Sequence, residues 1–277
     1  MLPSFSWKTF SYKAAPFVAL AVWLGIFQAC SNAPPPPLPQ SSWGDRYAYS
    51  YDLPRSAVVR PAGSVPLTIA VVNPTYKEAE SALGTELFLK VGKGISASMG
   101  TDLDKILIAK GVTTTGPFPS LDELTYSEKK DASLTLAPRV FVTAEIKYTT
   151  EAHKVEGVDR MERDFVMNVT GWVTFIMQES LSGQKMWIKK LELDSVRKVG
   201  VIDWAGLPQY QPDTCGGRAI VGYQPGGIVY DGRVDAIASA LQEMYPVVMS
   251  QFQKFIDTDE MIQLKEKVIE IRSLKVY

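Results

Sequence analysis

Apolar and polar positions change period several times along this chain. Leu67 to Val72 is a short apolar run stopped by Asn73-Pro74, and it reads as a buried strand. From about Glu78 to Lys110 the period becomes three to four: Leu87, Val91, Ile95, Met99, Leu103, Ile106 and Leu107 form one apolar stripe of a long helix. Gly92, Gly94 and Gly100 weaken that stripe, and the pattern predicts a break near Gly100. Gly111 is a C-terminal stop, and Val112 to Gly116 reads as a second short strand. Ser120 and Glu123 have the spacing of a capping box, opening a short polar helix to about Lys130.

The period then drops to two. Val140, Val142, Ala144, Ile146 and Tyr148 alternate with Thr143, Glu145 and Lys147. Phe165, Met167, Val169, Val173 and Phe175 alternate with Asn168, Thr170 and Thr174, and Leu191 and Leu193 with Lys190, Glu192 and Asp194. These are three strands with one buried and one wet face, the last two joined by a tight turn at Ser182-Gly183. The charged segment His153 to Asp164 reads as a loop. Residues 200–232 hold eight glycines and three prolines and read as a long loop. Two helices close the chain. One has the stripe Val234, Ile237, Leu241, Tyr245, Val248 and Phe252, with a kink expected at Pro246. The other is capped by Asp257 and has the stripe Met261, Leu264, Val268 and Ile271. The predicted fold class is α+β, an α/β sandwich. One mixed sheet with a C-terminal antiparallel hairpin is packed by a long helix and two C-terminal helices.

Upstream of this domain the pattern is of another kind. Lys8 and Lys13 precede an apolar stretch from Ala14 to Ala29, too short for a comfortable span, which ends at Cys30. Ser31, Asn32, Ala33 and four prolines follow. That order reads as a lipoprotein signal, although Phe27 and Gln28 depart from the usual Leu-containing approach to the cysteine; the alternative is an uncleaved anchor with an incidental cysteine. The expected organisation is a signal peptide over 1–29, lipid (palmitate-type acyl chains) on Cys30, a Pro-rich tether over 30–64 and one domain over 65–277. Ser31 favours the outer membrane, on its periplasmic face or at the cell surface. Trp43, Tyr47, Tyr49 and Tyr51 read either as an edge strand lying on the domain or as an adhesive part of the tether.

Composition narrows the function. The formal net charge is -1, and loss of Lys8 and Lys13 with the signal takes it to -3, no footprint for nucleic acid. Cys215 is the one cysteine besides Cys30, so no disulfide framework exists within the chain; Cys215 is either buried and inert or a thiol for intermolecular pairing. His153 is the single histidine, and no two-histidine zinc site can be built. Gly92-Lys93-Gly94 lacks the spacing and the Ser or Thr of a phosphate loop, and no Gly-x-Ser-x-Gly elbow occurs. The chain reads as a non-enzyme without a cofactor. Trp204, Tyr210, Tyr223 and Tyr230 on glycine-rich backbone suit contact with a protein or a sugar, and equally suit pinning the loop to its own sheet. Association into a homo-oligomer through strands and terminal helices is a further expectation.

Two resemblances follow from particular residues. The segment from Val173 to Trp187, with Leu67 to Val72 and Arg139 to Ala144, resembles the hairpin, opening strand and central strand of curli-export and penicillin-binding-protein-activator lipoproteins. Over roughly 67–256 the chain resembles the neuraminyllactose-binding haemagglutinin family of flagellar sheath adhesin lipoproteins. The landmarks are Cys30, Asn73-Pro74-Thr75-Tyr76, Ile106 to Val112, Val142 to Ile146, Gly171 to Phe175, Glu179 to Gly183 and Asp235 to Leu241. The resemblance implies an outer-membrane adhesin or flagellar-sheath protein, with a membrane, a protein or a host glycan as partner. It places glycan binding just after the central strand, over Tyr148 to Glu156, where Lys154 is the one lysine besides the acidic and neutral residues.

Overall fold

The computed structural model describes residues 49–54, 60–78, 85–156, 159–212 and 218–274. Cys30, the proline-rich start of the tether up to residue 48 with Trp43 and Tyr47, and Cys215 lie outside them. The chain forms β1 (Thr68–Val72), β2 (Thr75–Glu78), α1 (Thr85–Ala109), β3 (Thr113–Phe118) and a 3-10 turn (Leu121–Glu123). Then come α2 (Tyr126–Asp131), β4 (Leu134–Leu136), β5 (Arg139–Tyr148), β6 (His153–Lys154), β7 (Arg160–Glu179), β8 (Lys185–Pro212), β9 (Arg218–Asp231), α3 (Gly232–Phe255) and α4 (Thr258–Leu274). The architecture is α+β around one mixed nine-stranded sheet.

β7 is the axis of the sheet. One of its edges pairs antiparallel with β5, β4 and β6, and the other pairs with β8. β1 lies parallel to both β3 and β4, and β2 parallel to β5. The strand lines β1–β2 and β4–β5 are both interrupted by proline, at Asn73-Pro74 and Ala137-Pro138. Proline brings no N–H to a ladder. The two breaks lie side by side, because Thr75 N donates to the Pro138 carbonyl at 3.0 Å. This seam opens the outer face of the sheet.

The inner face carries the core. Phe165, Met167, Val169, Val173, Phe175 and Met177 of β7 are buried against Val91, Ile95, Met99, Leu103 and Ile106 of α1 and against Leu241, Tyr245, Val248 and Phe252 of α3. Phe175 and Phe252 have ring centroids 4.7 Å apart. Each such side chain taken from water stabilises the fold by about 1.5–3 kcal/mol before entropy is counted. A smaller cluster of Ala70, Val72, Leu124 and Ala132, with Phe118, Leu121 and Ala137 against it, packs the outer face under α2.

Four expectations need correction. α1 runs unbroken through Gly100, where the small residue serves close packing: a Cβ there would stand 2.0 Å from Asn73 Oδ1. The capping box is Thr125 with Glu128, not Ser120 with Glu123. Glu128 N donates to Thr125 Oγ1 and Thr125 N to Glu128 Oε2, whereas Ser120 precedes the 3-10 turn without a side-chain cap. The segment His153 to Asp164 is not all loop, since β6 and the start of β7 pair there. Residues 200–212 and 218–231 are not loop but the end of β8 and the whole of β9, paired from Ile202–Asp231 to Pro212–Arg218. Bulges beside Trp204 and Gln209 break the strict alternation that would have announced a hairpin.

The other elements follow their patterns. Gly183 turns β7 into β8 at φ +68°, a conformation that suits glycine. α3 carries Pro246 within it. Asp257 Oδ1 accepts from Asp259 N and Glu260 N at the start of α4, and these bonds hold its carboxyl below the usual range. Tyr49 is buried against Tyr245, so packed residues begin upstream of Val65.

Candidate functional site

β8 leaves the sheet before it ends. Its last partner on β7 is Arg160, opposite Ala205. Beyond that point it pairs with β9 alone, and Gly206–Pro212 with Arg218–Pro225 form a two-stranded ribbon. Directly opposed residues share a face. Pro208 opposes Tyr223 and Tyr210 opposes Ile220, which makes one face aromatic and aliphatic. Leu207 opposes Gln224 and Gln209 lies beside them, and Gln209 Nε2 donates to Gln224 Oε1 at 3.2 Å, so the other face is largely amide. Tyr210, Ile220 and Val221 are each more than half exposed.

The ribbon is poor in charge. Between Trp204 and Tyr230 the chain has Asp213 and Arg218 as its charged residues, against 21% charged overall. Depletion of charge with retention of tyrosine and tryptophan is the composition of a protein contact surface, and an isolated ribbon cannot bury its own apolar side chains. Its free edge is blunted by Pro225, which has no N–H to offer an added strand.

The five residues singled out from the sequence divide into three groups. Lys154 and Tyr223 come together: the ammonium lies 3.5 Å from the centre of the ring. Tyr210 stands exposed beside Ile220 on the same face. Trp204 and Tyr230 belong to the base of the ribbon. Trp204 is half-buried against the main core, and the Tyr230 hydroxyl hydrogen-bonds Asp235 Oδ2 at the start of α3. Two ion pairs stiffen that base. Arg160 donates to the buried Asp203 at 2.9 Å, and Arg233 Nε and Nη2 donate to Asp231 at 2.8 and 2.7 Å. Asp231 also raises the Arg233 pKa.

Ile220, Val221 and Leu207 were missed by sequence reasoning. The scarcity of charge across 204–230 was the legible signal, hidden under the glycines. Among the described residues no cluster of His, Cys, Asp and Glu could hold a metal. His153 is exposed, with Nδ1 3.3 Å from the Glu151 carbonyl. No described helix is long and apolar enough to cross a membrane.

No family model matches the chain, and no curated protein matches it in sequence. Solved structures do. One is a Helicobacter pylori protein described as a homolog of neuraminyllactose-binding hemagglutinin: identity is 14%, TM-score 0.51, and the match covers 80% of this chain and 99% of that one. PelC from Paraburkholderia phytofirmans, solved as a dodecamer, is 17% identical with a TM-score of 0.23, covering 67% of this chain and 93% of that one. A minor lipoprotein of Acinetobacter baumannii is 12% identical with a TM-score of 0.24, covering 70% and 92%. The first likeness shows that this chain has the fold of the Helicobacter pylori protein. The other two are too distant in shape to carry an argument.

Proposed function

We propose that this chain is a non-catalytic lipoprotein of the bacterial outer membrane, attached through Cys30, that acts as an adhesin or flagellar-sheath-associated surface protein. The β8–β9 ribbon is its contact surface. The observation that carries this reading is the ribbon itself: a charge-poor, tyrosine-bearing strand pair that leaves the sheet and exposes Tyr210, Ile220 and Val221. The likeness in fold to the hemagglutinin homolog supports it, as does the Lys8-to-Cys30 pattern. Exposed aliphatic side chains beside the tyrosines suit a protein partner, since apolar area with aromatic anchors is what protein interfaces bury.

The same observation favours a second reading, a periplasm-facing accessory lipoprotein that binds an envelope machine or further copies of itself. Lipid would be in contact with both faces and the open edge of an inserted ribbon, leaving backbone groups unpaired, so the ribbon is not read as a membrane insert.

Protease treatment of intact cells separates the two. Removal of the domain from the cell surface supports the adhesin; full protection until the outer membrane is permeabilised rejects it in favour of the second. Tyr210→Ser with Ile220→Ser should abolish partner capture or cell adhesion while the melting temperature is kept. Retained binding rejects the ribbon as contact surface. Cys30→Ala should abolish fatty-acid labelling, and persistent labelling would reject the anchor.

A further inference from the structure

The seam on the outer face opens into a cavity of about 460 Å³. That volume is ample for a small ligand, and the lining is chiefly apolar. Its aliphatic wall is Val72, Leu121, Ala137, Pro138 and Ile176, and Phe141 and Trp172 close one end. Arg139, at the rim and exposed, is the one charged residue that lines it.

The aromatic pair decides what kind of ligand fits. Phe141 and Trp172 stack with centroids 5.2 Å apart and planes 13° from parallel. Lys190 Nζ lies 5.2 Å from the centroid of the same indole. Phe141 and Lys190 belong to strands on opposite sides of β7, so they cover opposite faces of Trp172. Both faces of the indole are therefore covered, and Trp172 leaves no open face on which a sugar or base could stack; Asn73, Thr75, Tyr76 and Gln178 complete the lining. β5 and β7 are paired with each other along the floor, so neither offers a free strand edge to an extended peptide there.

We propose that this groove binds a single hydrocarbon chain ending in an anionic group, a fatty acid, with the chain along the Leu121–Ile176 wall and the carboxylate at Arg139. A flexible chain needs apolar volume and no directional partners, and the lone cation supplies the complement to its head. The inference does not depend on the ribbon or on the proposed function.

The test uses the full chain in phosphatidylethanolamine vesicles with palmitate carrying a photoreactive diazirine at mid-chain. After irradiation, labelled peptides are mapped by mass spectrometry. Label should concentrate on peptides containing Leu121, Phe141 and Trp172, and unlabelled palmitate should compete. Leu121→Arg, which fills the groove, should lower labelling by about tenfold or more, and Arg139→Glu by about tenfold for palmitate with little change for the uncharged palmityl alcohol. Tyr210→Ser should leave labelling unchanged, which keeps failure of this inference apart from failure of the ribbon. Label spread without preference, equal labelling of Leu121→Arg with unchanged melting temperature, or displacement by a leucine-rich peptide but not by palmitate would each overturn it.

Discussion

Lys154 in β6 reaches across to Tyr223 in β9 and places its ammonium 3.5 Å from the ring centre. The two strands are not neighbours, since β7 and β8 lie between them. Gly206 N donates to the Asp159 carbonyl at 2.8 Å in the same region, so the β6–β7 turn braces the ribbon at two points. A cation–π contact at an exposed site contributes about 0.5–1 kcal/mol. Lys154→Met should therefore speed amide exchange over residues 219–224 by about two- to fivefold without moving the global unfolding midpoint. Unchanged exchange would mean that the contact holds nothing.

Glu179 and Arg272 make an acid-sensitive lock. Glu179 is fully buried at the β7–β8 turn, and Arg272 reaches it from α4 at 2.9 Å while also donating to the Lys129, Lys130 and Ala132 carbonyls around the end of α2. Burial pushes the Glu179 carboxyl up. Hydrogen bonds from Ser182, Arg272 and Leu181 outweigh it and bring the pKa down to about 2. The folded value lies below the unfolded one, about 4.3, so the contribution is complete above that pH and is lost as pH falls toward 2. Urea midpoints of the wild type should drop across this window. Glu179→Gln should be less stable at pH 7 by about 3 kcal/mol and show a flatter acid profile. An equally steep profile would place the acid sensitivity elsewhere.

Gly171 sits at the bulge where β7 shifts register against β8. A Cβ there would come within 2.2 Å of the Phe141 carbonyl oxygen, a backbone atom that cannot swing away. Gly171→Ala should cost about 3 kcal/mol, read as a lowered denaturant midpoint, because β5 and β7 would have to separate. A near-neutral effect would show that the ladder can slide at this bulge.

Asp102, buried in α1, joins three parts of the chain. It accepts from Tyr51 N at 2.9 Å, Tyr245 Oη at 2.7 Å and Lys105 Nζ at 2.8 Å, and burial together with this carboxylate raises the Tyr245 pKa. Asp102→Ala leaves Tyr51 N and Tyr245 Oη without this acceptor, while the exposed Lys105 turns to water, and should cost about 3 kcal/mol. Limited proteolysis should then cut near Tyr51 before the core is attacked. Protection equal to that of the wild type would show that Tyr49 and the Tyr51 hydroxyl hold the segment without the carboxylate.

The periodic parts of the fold were legible because burial on one face writes itself into spacing: β1, the stripe of α1, β5, the middle of β7 and both C-terminal helices follow their patterns. Two kinds of feature were not. Bulges reset the period of a strand, so β8 and β9 looked like a glycine-rich loop although Pro208, Tyr210, Tyr223 and Ile220 share a face. Long-range polar pairs leave no local trace either. Nothing near Glu179 in the chain announces Arg272, and nothing near Asp102 announces Tyr51 and Tyr245. The Thr125–Glu128 box was missed because Ser120 and Glu123 offer the same spacing five residues earlier. Of the candidate site, the aromatic residues were visible and their arrangement was not, since which of them meet depends on strand register.

The docking of Tyr49 and Tyr51 has a mechanical consequence. Tension applied upstream of Tyr49 enters the domain at the contact of Tyr49 with Tyr245, at the Asp102 carboxylate and at the Tyr51 hydroxyl bond to Gln253, all in the helical layer. The β7–β8 ladder lies outside that load path. A pull on the chain would strip the strap before it sheared the strands, and the ribbon would keep its shape under drag until the strap gave way.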